Sequence, residues 1–280
     1  MTRADRFLLA GVMGFPVMHS RSPQLHNYWL ARYGLTGSYL PLAIPPERLR
    51  AALHALAALG FSGCNLTIPH KEAALDLLDE VDPLARRIGA VNCVVVRPDG
   101  SLAGANYDAF GYIESVREAK PGWRADAGPV VVIGAGGGAR AVLLGLLEQG
   151  ARDIRLVNRT AARAKALQLG LGPSITAVEW QNRERALEGA AMLVNTTNQG
   201  MVGEAALDLA LDRLPVSALV SDIVYIPRET PLLAAARARG NPTVNGLGML
   251  LHQARPAFHA WFGIMPEVTG ELRAMMEAGT

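Results

Sequence analysis

The chain has 280 residues, of which 50% are hydrophobic and 19% are charged, so it can bury a large core and a disordered chain is excluded. Its length suits two domains of ordinary size. A formal net charge of +2, without a run of five like charges, argues against a nucleic-acid or membrane partner. Two cysteines, Cys64 and Cys93, do not make a disulfide framework and fit a reducing compartment.

The N-terminus has a composition to compare with that of a targeting signal. Arg3 and Arg6 precede an apolar run over residues 7–18, which faintly resembles a signal peptide. Glycines and a proline break this run and no cleavage site follows, so a buried first strand is predicted instead. No segment approaches the roughly 18 apolar residues of a membrane helix. The sequence therefore predicts a cytoplasmic protein without a membrane partner.

Strand-like runs alternate with longer helix-like segments, which predicts an α/β protein with largely parallel sheet. In the first half, strands are predicted over residues 7–12, 38–41 and 63–68, and a hairpin joins 90–96 to 101–105 around a Pro-Asp-Gly turn. Helices are predicted over 23–33, 46–59 and 71–78. Ser22 is the expected N-cap of the first helix, and Gly60 ends the second.

A polar, Gly- and Pro-rich stretch over residues 121–129 precedes a new unit, so a second domain is predicted to begin near 107–125. A strand over 130–133, a glycine-rich turn, a helix to 147 and a strand over 154–157 form a predicted βαβ motif. Further strands are predicted over 175–178, 192–195, 219–222 and 243–244. Helices are expected over 249–261 and 266–277.

The glycine-rich turn matches G-x-G-x-x-A between a buried strand and a helix; its residues are Gly134, Ala135, Gly136, Gly137, Gly138 and Ala139. Glycines permit the tight turn and let backbone N–H groups approach a pyrophosphate at the helix N-terminus. A lone glycine motif is weak evidence. Its position between strand and helix predicts a dinucleotide site.

The end of the second strand of this unit indicates which dinucleotide binds. An NAD site usually carries a carboxylate there to bind the ribose hydroxyl. This strand is instead followed by Asn158, Arg159 and Thr160, with Arg163 beyond. An arginine suits a 2′-phosphate through charge-assisted contacts, so NADP is the predicted cofactor. The alternative is that both arginines belong to a solvated helix start.

Polar residues follow the predicted strands of the first domain. Ser20 and Ser22 stand beside a helix N-terminus and suit a substrate carboxylate, although Ser22 is equally explained as a cap. Lys71 follows a strand at the carboxyl edge of the sheet, where open α/β sheets collect ligands, although an exposed lysine is the alternative. Paired with Asp108 at the domain junction, it suits proton transfer during alcohol oxidation.

Two neutral hydrogen-bonding residues complete this set of candidates. Asn92 precedes a predicted strand and Gln253 lies on a late helix. The alternative role of Asn92 is to cap a turn, and the alternative for Gln253 is that it is an ordinary polar residue at the surface.

In order along the whole chain, these motifs resemble the shikimate dehydrogenase family. The matching segments are GFPVMHSRSPQLHN, NLTIPHK, GAVN, GANYDAFGY, VIGAGGGARA, VNRT, DIVYIPRETPLL and NGLGMLLHQARPAF. The resemblance implies an N-terminal α/β substrate domain over 1–106 with a mixed, mostly parallel sheet, completed by C-terminal helices over 248–280. It also implies a Rossmann-like NADP domain over 107–247, with a cleft between the domains.

The implied reaction is the reversible NADP-dependent interconversion of 3-dehydroshikimate and shikimate, a step of chorismate and aromatic amino acid biosynthesis. The resemblance makes Lys71 and Asp108 the catalytic pair. The substrate residues it implies are Ser20, Ser22, Thr67, Lys71, Asn92, Asp108, Tyr225 and Gln253. Expected cofactor contacts are Gly134 to Ala139, Asn158, Arg159, Thr160, Arg163, Thr196, Ile223 and Gly246, with Tyr225 and Gly246 near the nicotinamide or the substrate.

Several alternatives stay open at this point. Tyr107 stands where the family usually has threonine, Asn198-Gln199 is a less usual pair, and Cys93 replaces a common threonine. Substrate preference is therefore open, quinate included, as is relaxed use of NAD. A catalytically idle NADP or shikimate sensor and a pure binding module are rivals of another class. A metal is not expected, because no H-E-x-x-H or clustered Cys/His pattern occurs. Both a monomer and a homodimer remain possible.

Overall fold

The computed structural model describes residues 7–278, so Arg3 and Arg6 lie outside the described part. The chain divides into two compact units. Among the described residues, one unit contains residues 7–107 together with Leu251–Met276, and the other contains Asp108–Leu250 with residues 277–278. Each unit has its own six-stranded sheet, which confirms the predicted α/β class. Across residues 7–278, no helix combines the length and the apolar composition that a membrane span requires.

The first unit is built on a mixed sheet with the strand order β2-β1-β3-β5-β6-β4. β1 pairs in parallel with β2 and β3, whereas β5 is antiparallel to both β3 and β6. The carboxyl ends of β1 and β3 therefore lie side by side at one edge. The strands are β1 (Leu8–Gly14), β2 (Gly37–Ala43), β3 (Phe61–Leu66), β4 (Glu80–Val81), β5 (Cys93–Val96) and β6 (Leu102–Ala105).

Short helices connect these strands, and helices from the end of the chain complete the unit. They are α1 (Ser22–Arg32), α2 (Leu49–Ala58), α3 (His70–Ala73) and α4 (Pro83–Ile88), followed late in the sequence by α9 (Leu247–Phe262) and α10 (Gly270–Glu277). A 3-10 turn, Pro46–Arg48, precedes α2, where the sequence predicted one continuous helix. Gly60, with a φ of +76°, follows that helix as expected.

Two local predictions in this unit were wrong. Ser22 is not the N-cap of α1, because Arg21 takes that position with helical dihedral angles. Ser20 accepts the Ser22 N–H through its hydroxyl at 3.3 Å, so the earlier serine satisfies an N-terminal donor. The helix expected over 71–78 is the single α-turn α3 followed by a 3-10 turn, Ala74–Asp76.

The second unit is a parallel sheet with the strand order β12-β11-β10-β7-β8-β9. This is the doubly wound Rossmann order, and it reverses between β7 and β10, where such sheets bind ligands. The strands are β7 (Val130–Ile133), β8 (Ile154–Asn158), β9 (Ile175–Glu179), β10 (Met192–Asn195), β11 (Leu219–Asp222) and β12 (Thr243–Val244). The predicted strands of this unit are thus confirmed.

Helices cover this sheet and bury its apolar faces. They are α5 (Asp108–Ala119), α6 (Gly137–Glu148), α7 (Ala161–Leu171) and α8 (Pro231–Ala238). All four residues of β7 are buried, as expected of a central parallel strand covered on both faces. Neither α5 nor α8 was predicted. α8 nevertheless carries a local start signal, since the Thr230 side chain accepts the Leu233 N–H and a proline follows.

Candidate functional site

Two of the predicted substrate residues lie beyond the carboxyl end of β1. Ser20 is half-buried and Ser22 is 7% exposed, in the first turn of α1. The bond from the Ser22 N–H to the Ser20 hydroxyl holds the two serines together. Two hydroxyls beside a helix N-terminus form an environment that suits a carboxylate.

Thr67 and Lys71 follow β3 on the neighbouring strand end. The Thr67 carbonyl accepts the His70 N–H at 2.8 Å, and the Lys71 carbonyl accepts the Val91 N–H at 2.8 Å. The buried His70 ring is bonded to the Ile44 carbonyl at 2.8 Å. The backbone around Lys71 is therefore fixed on both sides, and Lys71 itself is half-buried rather than fully exposed.

Asn92 and Gln253 meet inside the first unit. Asn92 Nδ2 donates to Gln253 Oε1 at 3.4 Å, while Asn92 Oδ1 accepts the Tyr107 N–H at 2.9 Å. The two side chains are 2% and 9% exposed, so surface polarity does not explain Gln253. This amide pair links the end of the hairpin to helix α9, which makes it a structured polar group rather than a turn cap.

A buried chain of hydrogen bonds supports this pair, and sequence reasoning missed it. The Tyr39 hydroxyl donates to Asn65 Oδ1 at 2.7 Å, and Asn65 Nδ2 donates to the Asn92 carbonyl at 2.9 Å. Burial raises the pKa of the Tyr39 phenol well above its usual value, whereas a hydrogen bond with the Ser22 side chain lowers it. One neutral phenol thus bonds both the Ser22 side chain and Asn65, and Asn65 in turn bonds the backbone of Asn92. Asn65 lies within the NLTIPHK motif, which was the available signal.

Asp108 begins the second unit, whereas Lys71 belongs to the first. The Asp108 side chain is 8% exposed and stands in the first turn of α5. Tyr107, directly before it, is half-buried, and burial raises the pKa of its phenol to about 12. The unusual tyrosine is therefore a neutral hydroxyl at physiological pH.

The glycine turn has the geometry that its sequence predicted. Gly134 has a φ of +110°, and a Cβ there would lie 2.6 Å from Thr196 Oγ1, so only glycine fits. Gly136 and Gly137 face open space on the side where a Cβ would point, at the N-terminus of α6. Ala139 is fully buried against the sheet. Exposed helix N–H groups and an open approach suit a pyrophosphate.

The end of β8 carries the predicted phosphate-binding residues. Asn158 Nδ2 donates to the Thr160 carbonyl at 2.9 Å, which shapes the turn into α7. Arg159 and Arg163 are exposed, and neither forms an ion pair with a carboxylate among residues 7–278. Two unpaired guanidinium groups beside this turn suit an anionic 2′-phosphate.

Two loops pack beside the glycine turn and contain the other predicted cofactor residues. Thr196 Oγ1 donates to the Ile133 carbonyl at 2.7 Å, just before the turn. A Cβ on Gly138 would lie 2.8 Å from Ile223 Cδ1, and a Cβ on Gly246 would clash with the Ile223 carbonyl oxygen. Thr196 and Ile223 therefore lie at this turn, and Gly246 packs against the Ile223 backbone. Tyr225 is half-buried on the same loop as Ile223.

The residues present fit NADP in two respects, the open glycine turn and the unpaired Arg159 and Arg163 that follow β8. In the part of the chain from residue 7 to 278, no cluster of three or more His, Cys, Asp or Glu has the arrangement of a metal site.

Comparison with known proteins agrees with this geometry. Residues 12–94 match the family model of the shikimate dehydrogenase substrate binding domain, and residues 118–229 match that of shikimate/quinate 5-dehydrogenase. The chain belongs to the shikimate dehydrogenase family. A shikimate dehydrogenase (NADP(+)) from Paramagnetospirillum magneticum is 56% identical over 268 residues, covering 96% of this chain and 97% of that protein. One from Rhodospirillum rubrum is 57% identical, with 95% of each chain covered.

Solved structures of family members have the same fold. Shikimate 5-dehydrogenase from Thermus thermophilus, in complex with NADP(H) and shikimate, is 39% identical with a TM-score of 0.87, covering 97% of this chain and 100% of that one. Quinate dehydrogenase from Corynebacterium glutamicum, in complex with NAD, is 33% identical with a TM-score of 0.90, covering 97% and 99%. The family therefore includes enzymes that differ in substrate and cofactor.

Proposed function

We propose that this protein catalyses the reversible, NADP-dependent reduction of 3-dehydroshikimate to shikimate, with Lys71 and Asp108 as its catalytic pair. The observation that carries the proposal is the identity of 56% and 57%, over at least 95% of the chain, to proteins named shikimate dehydrogenase (NADP(+)). The unpaired arginines after β8 support NADP over NAD, because no carboxylate stands there to bind a free ribose hydroxyl.

The first unit is proposed to bind the substrate. Ser20 and Ser22 bind its carboxylate, since both hydroxyls stand at the N-terminus of α1. Thr67, Asn92 and Gln253 bind its ring hydroxyls through neutral hydrogen bonds. The bonds that hold the Asn92 amide restrict its rotation, so a hydroxyl is recognised at a fixed position.

The second unit is proposed to hold the cofactor. When bound, NADP supplies the hydride for reduction or accepts it in the reverse direction. Gly134 to Ala139 hold the pyrophosphate, and Asn158, Arg159, Thr160 and Arg163 hold the adenosine phosphate end. Thr196, Ile223 and Gly246 hold the nicotinamide side, with Tyr225 beside the substrate.

The chemistry that remains for the protein is the movement of one proton. Reduction of a ketone requires a proton at the carbonyl oxygen, and oxidation of the alcohol requires its removal. The Lys71 ammonium group donates this proton, and the uncharged amine accepts it in the reverse direction. The Asp108 carboxylate accepts a hydrogen bond from the substrate hydroxyl.

We also propose that the protein is cytoplasmic and that it is a monomer or a homodimer. Cys64 and Cys93 are free, buried thiols, which supports a reducing compartment.

Substitution of Lys71 tests the proposed chemistry. Lys71→Ala should lower kcat for shikimate oxidation at least about 100-fold, because it removes acid-base assistance. Lys165→Ala is the matched control, since Lys165 is exposed on α7 and should leave kcat unchanged. Equal turnover of the Lys71 variant and the control would remove Lys71 from the mechanism.

A further inference from the structure

A buried carboxylate in the second unit connects the ends of one loop. Asp222 ends β11 and is 1% exposed. Its Oδ1 accepts the Val224 N–H at 3.0 Å, and its Oδ2 accepts the Thr230 hydroxyl at 2.8 Å. The loop over residues 223–230, here called the 223–230 loop, is therefore held by the same side chain near its start and at its end.

The same carboxylate reaches a second loop through Asn195, its register partner at the end of β10. Asn195 Nδ2 donates to Asp222 Oδ1 at 3.1 Å and to the Gln199 carbonyl at 3.1 Å. Asn195 Oδ1 accepts the Thr197 N–H at 3.0 Å and the Thr197 hydroxyl at 2.7 Å. The segment over residues 196–200, here called the 196–200 loop, is thus fixed by one amide.

The partners of Asp222 are neutral. Burial raises the pKa of the Asp222 carboxyl, its three hydrogen bonds oppose that rise, and no basic side chain among residues 7–278 contributes. Two of the donors, an amide and a backbone N–H, meet at Oδ1, so an asparagine carbonyl can accept both. The asparagine amide can then donate to the Thr230 hydroxyl. The three hydrogen bonds therefore need a planar side chain with an oxygen acceptor at position 222, and they do not require a negative charge there.

Both loops pack on the glycine turn. Thr196 Oγ1 lies 2.6 Å from the position that a Cβ on Gly134 would take, and Ile223 Cδ1 lies 2.8 Å from that of a Cβ on Gly138. A direct bond from the Val202 N–H to the Ile226 carbonyl, at 3.2 Å, joins the chain beyond the first loop to the second. A shift of either loop would therefore move the side chains that stand over the turn.

We infer that Asp222, acting through Asn195 and Thr230, is a positioning residue that holds the 196–200 and 223–230 loops in place for the nicotinamide half of the cofactor. The inference rests on the proposed function for the roles of Thr196 and Ile223. It assigns no contact between Asp222 and cofactor or substrate. The adenosine half is held elsewhere, at β8 and α7, so it should not depend on Asp222.

Two ligands separate this role from general support of the fold. Calorimetry would compare NADP with adenosine 2′,5′-bisphosphate, which contains only the adenosine half, in the wild type and in Asp222→Ala and Asp222→Asn. Because an unpaired buried donor shifts an equilibrium by about 10- to 100-fold, Asp222→Ala should raise the Kd for NADP at least about 10-fold and lower kcat. The Kd for the bisphosphate should stay within about twofold.

The conservative variants should rescue both properties. Asp222→Asn is expected to bind NADP within about threefold of the wild type, since its carbonyl keeps two of the hydrogen bonds and its amide replaces the third by donating to the Thr230 hydroxyl oxygen. Thr230→Val, which loses only the hydroxyl, should raise the Kd for NADP and lower kcat, as Asp222→Ala does. Thr230→Ser, which keeps the hydroxyl, should match the wild type in both. This second pair provides the test if Asp222→Ala does not fold.

Three results would overturn the inference. The first is that both Asp222→Ala and Thr230→Val bind NADP and turn over like the wild type. The second is that affinity for NADP and for the bisphosphate falls equally, and the third is that Asp222→Asn is as impaired as Asp222→Ala. Either of the first two results would show that Asp222 does not act on the nicotinamide half through these loops. The third would show that the negative charge of Asp222 is essential. A wild type that binds NADP but does not oxidise shikimate would contradict the proposed function alone, and the binding comparison would still test Asp222.

Discussion

Replacing His26 should change how the stability of the first unit depends on pH. The His26 ring is fully buried and stacks on Tyr39 with centroids 4.2 Å apart, inside an aromatic cluster that includes Trp29, Phe258 and Trp261. Neither ring nitrogen has a hydrogen-bond partner. Burial lowers the pKa of His26 from 6.5 to about 3, so the folded protein holds this ring neutral.

The size of the effect follows from proton linkage. Above pH 6.5 the ring is neutral in both the folded and the unfolded chain, and its contribution is constant. Below that value only the unfolded chain binds the proton, so the free energy of unfolding falls by about 1.4 kcal/mol per pH unit. The loss attributable to His26 is therefore about 2 kcal/mol at about pH 5, and it grows until the pH approaches the folded pKa.

The assay is urea unfolding followed by tryptophan fluorescence. Trp29 and Trp261 lie 5.6 and 5.5 Å from His26, whereas Trp123 and Trp180 belong to the second unit. A background with Trp123→Phe and Trp180→Phe therefore reports on the first unit alone. His26→Phe keeps an aromatic ring and removes the titrating group. His54→Gln, at an exposed histidine of α2, is the matched control.

We expect the wild type and the His54 variant to lose about 2 kcal/mol more stability between about pH 7 and about pH 5 than the His26→Phe variant does. Parallel pH profiles for the wild type and His26→Phe would refute the reasoning, because they would mean that the buried ring does not resist protonation. A His54→Gln profile that matched His26→Phe would assign the pH dependence to solvent-exposed histidines instead.

Three further substitutions test the packing and the charges of the two units. Tyr39→Phe leaves a buried acceptor without its donor, so it should destabilise the first unit by about 1–3 kcal/mol and raise the KM for shikimate more than that for NADP, as unfolding and initial rates would reveal. Gly246→Ala forces a Cβ into the Ile223 carbonyl and should destabilise the protein by at least about 1–3 kcal/mol, whereas Gly170→Ala, in open space on α7, should be neutral or stabilising in the same melts. Arg159→Ala should raise the KM for NADP much more than that for NAD, and equal increases would contradict 2′-phosphate recognition.

Local sequence signals predicted the strands and the glycine turn of the second unit. The strand of four apolar residues before Gly134 is buried. Gly134 makes the tight turn with a positive φ, and Gly136 and Gly137 have the open surface that their spacing indicated. These features depend on residues close together in the chain, where hydrophobic period and glycine content are informative.

Features that depend on distant residues were not predicted. The bond from Tyr39 to Asn65 joins strands whose residues are 26 positions apart, and Asn195 meets Asp222 only because β10 and β11 are neighbours. A single sequence contains no signal for such pairs until the strand order is known. The capping role expected of Ser22 failed for a local reason, because the helix begins one residue earlier than expected: Arg21 takes the N-cap position and Ser20 accepts the Ser22 N–H.

The central claim is tested most directly by one set of initial rates. Purified protein would be mixed with shikimate or quinate and with NADP or NAD, and formation of the reduced nicotinamide followed by its absorbance. We expect NADP reduction with shikimate and little reaction in the other three mixtures. Comparable rates with quinate or NAD would contradict the assigned specificity, and silence in all four mixtures would contradict the assigned activity.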